Sequence, residues 1–254
     1  MKSESKKNAR KALQGEKKLW GARLHGAKLA SADLQQIQLQ GADLAFADLT
    51  SANLKNANLT STSLVRTLFD SANLQSANLT SANMDRASFN SANLKGANLT
   101  SAQIHSTRFI GSDLSGACLH AANIREPRPN PSYDDGTTDT SFKDANLSGA
   151  KLTSIRLYSR MTVIFHGADL RDADLTGAYF EDVREEFLPL YRKSSKVRDS
   201  DVFWNALRER GVTKNDFYVN RLLSLEDFVG ALVGNTRGPD GHIVSPIVSR
   251  PRLW

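Results

Sequence analysis

The residues of this chain that could do chemistry are five histidines, a single cysteine and a scatter of aspartates. Zinc sites draw on His and Cys at short, repeated spacings. His25, His105, His120, His166 and His242 form no such set with one another or with Cys118. Paired carboxylates could exchange protons, but most aspartates here share one repeating position with asparagine, where a solvated outer face accounts for them. The Gly-rich run from Gly234 to Gly241 lacks the Gly-Lys-Ser/Thr needed to cradle phosphates and reads as a surface turn. Phe69, Phe89 and Phe109 could offer a stacking platform for bases. They stand, however, at positions that should face inward. No catalytic, cofactor-binding or metal-ligating residue is expected, and the chain is expected not to be an enzyme.

The residues must therefore be understood through the elements that carry them. From Leu19, every fifth residue is Leu, Ile, Phe or Met for 22 landings, ending at Ile124. Two positions before each landing the residue is Ala in 16 of the 22 cases. The segments Ser-Ala-Asn-Leu-Lys (51 to 55) and Gly-Ala-Asn-Leu-Thr (96 to 100) show the unit plainly. Five residues on an α-helix turn about 500°, so such a column would wander round the cylinder. On a flat strand an odd spacing puts successive landings on opposite faces. One buried column requires a chain that turns a corner in every unit, with Leu and Ala pointing inward.

A second period sets the size of the coil. Ser31, Ser51, Ser71 and Ser91 open similar units, and Phe69, Phe89 and Phe109 are also 20 residues apart. Four units per coil predict a four-sided solenoid in which like residues stack. Asp33, Asn53, Asn73, Asn93 and Asp113 would form one outward ladder, and Asn58, Asn78 and Asn98 another, with stacked amides as stabilisers. Cys118 takes an Asn position in the second ladder. His25, His105 and His120 each follow a landing and should point outward.

These units resemble the pentapeptide-repeat family, whose unit is often written A(D/N)LXX. The resemblance covers roughly two thirds of the chain. It implies an all-β solenoid, a right-handed quadrilateral β-helix. It also implies that short C-terminal helices can pair two rods into a dimer, and that some members protect gyrase by mimicking DNA.

The pattern is broken in three places. Residues 125 to 140, with Pro127, Pro129, Pro131, Gly136 and four acidic residues, read as a loop insertion. Landings resume at Phe142, Leu147, Leu152 and Leu157, shift phase by three, and resume at Phe165, Leu170, Leu175 and Phe180. The repeat blocks are thus 19–124 and 141–180, and stacking at about 4.8 Å per strand gives a rod about 36 Å long. Residues 181–254 carry signals for a small, mainly α-helical cap and an extended tail. Val202, Phe203, Trp204 and Leu207 suit one amphipathic helix, and Ser224 and Asp227 precede another at Phe228, Val229, Leu232 and Val233. Residues 1–18 read as a basic leader or cap, with a short helix over Asn8 to Leu19.

Charge and composition narrow the function classes. Of the formal charge of +6, the first 18 residues supply most, with seven Lys/Arg against two Glu. The repeat blocks are close to neutral, which disfavours a DNA mimic, since the DNA channel it would enter is basic. No stretch is long and apolar enough to cross a membrane. One cysteine allows no internal disulfide, and a bacterial cytoplasm is the expected home. The expected function is a non-enzymatic scaffold that binds a protein partner through its faces, its loop or its C-terminal segment. Direct nucleic-acid contact is expected only weakly, through the basic N-terminus, and homodimerisation through the C-terminal segment. The alternatives are a gyrase-protecting DNA mimic and a secreted bacterial effector or delivery adaptor.

Overall fold

The computed structural model describes residues 2–125, 140–159, 165, 168–176, 179–182, 236–237 and 243–244. Unit positions are counted from the central Leu or Phe (0), running from −2 to +2. Among the described residues position 0 is buried throughout and position −2 in every unit after the first two: Leu54, Leu74 and Leu94 have no exposed surface, and Ala52, Ala72 and Ala92 are almost as enclosed. Parallel bridges link residues 20 apart, as in Asn53 to Asn73 to Asn93 and Asn58 to Asn78 to Asn98. The fold is a β-solenoid in which four five-residue units make one coil.

One unit shows why the sequence folds this way, because every backbone N–H in it finds an acceptor. Ala72 N–H closes a turn on the Phe69 carbonyl at 2.9 Å. Asn73 N–H donates to Ala52 in the preceding coil, while Leu74 and Ser76 donate to Asn93 and Lys95 in the following one. The fifth donor, Gln75 N–H, goes to the Oδ1 of Asn73 at 3.1 Å. The corner itself needs a left-handed residue at +2, and Ser51, Ser71 and Ser91 hold φ of 57°, 59° and 56° there. A positive φ at the third residue of a four-residue turn, with the closing hydrogen bond, is a type II turn. Small residues at +2 keep its cost low.

The interruptions insert residues without breaking the stack. Across the first, Asp113 bridges Asn146 and Cys118 bridges Lys151, 33 residues on. The excess of 13 over a normal coil equals the excess in the landing interval from Ile124 to Phe142. Across the second, Asn146 bridges Asp169, 23 residues on, matching the phase shift of three. Arg125 lies in strand β1 (Asn123–Arg125), and Thr140 is buried with its hydroxyl on the Ile104 carbonyl at 3.2 Å. β1 pairs in parallel with β2 (Arg156–Ser159), and β2 with β3 (Tyr179–Asp182), in register Ile124, Leu157, Phe180. A separate antiparallel pair joins β4 (Thr236–Arg237) to β5 (Ile243–Val244).

At the other end a helix, α1 (Lys2–Leu13), covers the first coil. It starts and stops earlier than the expected Asn8 to Leu19. It ends in a Schellman motif: Glu16 N–H reaches the Lys11 carbonyl and Gly15 N–H the Ala12 carbonyl, with Gly15 at φ 86°. Ser5, Ala9 and Ala12 face the coil. Within the rod the carbonyls of Asp43 and Ala45 accept N–H groups from the coil before them. In the first coil the equivalent carbonyls belong to Arg23 and His25. There Asn8 Nδ2 and Ser5 Oγ take the donor role, at 3.0 and 2.8 Å. The helix thus satisfies the open edge that a solenoid must cover. The expected C-terminal helices around Val202–Leu207 and Phe228–Val233 lie outside the described residues.

Candidate interaction surface

The outer surface consists of stacked rows at −1, +1 and +2. The row through Asn58, Asn78 and Asn98 is the most regular. Each Oδ1 accepts both the N–H and the hydroxyl of the Thr two residues on, so Thr60, Thr80 and Thr100 form a parallel column beside it. The amide ladder expected from the sequence is a minor feature. Two amide contacts cross between coils, Asn73 Nδ2 to Asn53 Oδ1 at 3.3 Å and Asn146 Nδ2 to Asp113 Oδ1 at 3.2 Å, beside the much commoner bond that Oδ1 accepts from the chain's own +1 N–H. Cys118 occupies the Asn row, half-buried, with its Sγ 3.4 Å from Thr100 Oγ1.

Where Leu68, Ser88 and Arg108 replace Asn or Asp at −1, that local acceptor is missing. The row beside it compensates. Asp70 Oδ1 accepts Asn90 N–H at 2.9 Å and Ser88 Oγ at 2.6 Å, and Asn90 Oδ1 accepts Ile110 N–H at 3.1 Å. The acceptor has moved from the same unit to the coil below.

The residues first considered for chemistry are not brought together. Among the described residues no group of three His, Cys, Asp or Glu could hold a metal ion. His25 lies against Phe46, with ring centroids 5.2 Å apart. His120 Nδ1 contacts Thr153 Oγ1 at 2.8 Å. His166 and His242 lie outside the described residues. The phenylalanine column faces inward, as expected, and continues through Phe142 and Phe165. Its five rings lie 4.7, 5.1, 4.8 and 5.4 Å apart and nearly parallel. A buried stack offers nothing to a base.

One edge of the rod departs from the polar pattern. Phe46, Arg66 and Arg86 occupy +2 on three consecutive coils, where Gly or Ser stands in most other units, at φ of 59°, 54° and 57°. Large residues in this conformation are uncommon and cost roughly 1–2 kcal/mol each. Phe46 is 49 % exposed, its ring 5.2 Å from His25 and 5.7 Å from the Arg66 guanidinium. Leu68, two residues past Arg66, is 41 % exposed at a position normally held by Asn or Asp. The sequence carried this signal, since apolar side chains stand in slots that are polar in most other units.

Two carboxyls are perturbed by hydrogen bonds from nearby residues. Hydrogen bonds from Arg171 hold the Asp169 carboxyl below its ordinary value, through Nε at 2.9 Å and Nη2 at 2.6 Å. Asp33 is lowered by its bonds from the Gln35 side chain and backbone.

A near-neutral solenoid with regular polar rows and one aromatic–basic edge defines a repeat protein of the pentapeptide class. The family model for pentapeptide repeats matches in 8 copies, over residues 18–45, 47–86, 87–125 and 163–184, and the chain belongs to that family. Solved structures with which it aligns include a pentapeptide repeat protein of the Arabidopsis thaliana thylakoid lumen. That one is 27 % identical over 45 % of this chain and 70 % of the other, with a TM-score of 0.31. HetL, involved in heterocyst differentiation regulation in the cyanobacterium Nostoc sp. strain PCC 7120, is 22 % identical over 89 % of each chain, with a TM-score of 0.24. Full-length QnrB1, a plasmid-mediated fluoroquinolone resistance protein, is 13 % identical over 70 % and 97 % of the two chains, with a TM-score of 0.30. No curated protein matches the sequence.

Proposed function

We propose that the protein is a non-enzymatic scaffold that binds a protein partner along the edge bearing His25, Phe46, Arg66 and Leu68. The observation that carries this reading is the exposed Phe46 ring, flanked by His25 and Arg66, on a mostly polar rod. Aromatic and Arg side chains dominate the energetics of protein interfaces. Their placement at a conformationally unfavourable corner, where folding favours Gly, fits a role in contact. In this reading the rod is the right-handed, four-sided helix that the family resemblance implies. The loop 125–140 and the segment 181–254 are accessory, the latter as a helical cap able to pair two copies, and the protein works in a bacterial cytoplasm.

The test is affinity capture with the wild-type chain, a Phe46→Ser/Arg66→Ser variant and a Gln35→Ser control. Selective loss of a partner in the double variant supports the proposal; identical partner sets from all three would remove it. A DNA-mimicking gyrase protector is the weaker reading, because mimicry needs a strongly negative rod and the repeat blocks are nearly neutral. Absence of protection at saturating protein in a supercoiling assay with fluoroquinolone would dismiss it.

A further inference from the structure

Helix α1 commits its inner face to the rod and leaves a different chemistry outside. Ser5, Ala9 and Ala12 are buried against the first coil. At about 100° per residue, Lys6, Arg10 and Leu13 share one flank at i, i+4 and i+7, roughly a quarter turn from the buried face, and Lys7 lies on the outer side. All four are exposed. The two glutamates of the segment are occupied elsewhere, Glu4 by Arg23 and Glu16 by Lys11, each at 3.2 Å. Lys6, Lys7 and Arg10 make no ion pair among the described residues. Leu13 is 58 % exposed, and Trp20 is 62 % exposed in the first coil, with Lys18 Nζ 5.9 Å from its ring.

We propose that this end of the rod docks on an anionic phospholipid surface. Clustered Lys and Arg on a helix face are attracted to the negative potential of such a leaflet. Leu13 on the same flank, and Trp20 exposed beside Lys18 in the first coil, match the boundary between headgroups and acyl chains, where amphipathic rings settle. Duplex nucleic acid would satisfy the charges but gives no comparable place to two large apolar side chains. The helix lies on the surface and does not enter it as a span, since no described helix is long and apolar enough to cross a membrane. The Phe46 edge takes no part in this surface. The docking does not depend on that edge having a partner.

The experiment is vesicle flotation of the full chain with phosphatidylcholine alone and with phosphatidylcholine mixed with phosphatidylserine. Binding is expected only to the anionic vesicles, weakening as salt is raised. Each basic residue removed should weaken it about fivefold, so Lys6→Gln/Lys7→Gln/Arg10→Gln should lose roughly a hundredfold. Gln preserves helix propensity, and circular dichroism checks the fold. In a Trp204→Phe/Trp254→Phe background, Trp20 emission should shift to the blue on binding. Three results would each overturn the proposal. These are no retention on phosphatidylserine vesicles, full retention by the triple Gln variant, and capture of a double-stranded oligonucleotide through the same three residues without vesicle binding.

Discussion

Substituting Asn78 separates two explanations of why Asn and Asp recur at −1. In the structure, Asn78 Oδ1 accepts Thr80 N–H at 3.0 Å and Thr80 Oγ1 at 2.6 Å. Asn78→Ala removes the acceptor for a backbone donor that has no other partner in its unit. A net hydrogen bond contributes about 1 kcal/mol, and loss of a comparable side-chain cap at a helix start costs about 0.5–2 kcal/mol. Asn78 is half-buried, so water replaces part of the loss, and the expected destabilisation is about 1 kcal/mol. Asn78→Asp keeps the acceptor, as Asp43, Asp48 and Asp113 do toward Ala45, Thr50 and Ser115. It should therefore stay within about 0.5 kcal/mol of wild type. The assay is urea denaturation followed by circular dichroism, comparing midpoints at constant slope. An Asp variant as unstable as the Ala variant would refute the reasoning, because it would mean that the amide NH2 and its stacking carry the stabilisation.

Other consequences follow from the same geometry. Leu74→Ala, at a fully buried site in the middle of the rod, should cost about 3–5 kcal/mol, against less than about 1.5 kcal/mol for Leu74→Met, in the same denaturation experiment. Asp70→Ala should cost about 1–3 kcal/mol, because it strips the acceptor from both Asn90 N–H and Ser88 Oγ, while Asp70→Asn should recover most of the loss. The carboxyl of Asp169 is held below its unfolded value near 3.8. Its contribution is present above that value and is lost as pH falls through the lower folded value. Thermal midpoints measured from pH 5 downward should therefore fall more steeply for wild type than for Asp169→Asn.

How much of this was legible in the sequence depends on the physical origin of each feature. The five-residue column and the 20-residue coil could be read because burial acts on residue type, and Leu54, Leu74 and Leu94 have nowhere else to go. The 13-residue and three-residue excesses were readable for the same reason, since the landings must resume in phase with the stack. The role of Asn was not, because a preference for Asn at −1 looks the same whether the side chain bonds its own backbone or its neighbour's amide. Helix α1 was misplaced because its contact face is Ser5, Ala9 and Ala12, which carry almost no hydrophobic periodicity. Gly15 ends the helix by a rule that applies to helix termini generally, and the expected span of Asn8 to Leu19 ran past it. The Phe46 and Leu68 edge was visible as apolar residues in polar slots.

The coil register is most directly tested by spin-label distances in a Cys118→Ser background. Labels at Gln35→Cys and Ser115→Cys are four coils apart and should lie about 19 Å from each other. Moving the second label to Ser148→Cys, 33 residues further along the chain, should add one coil, about 5 Å, and keep the distribution narrow. An added distance of two coils or more, or a broad distribution, would contradict the stacked solenoid.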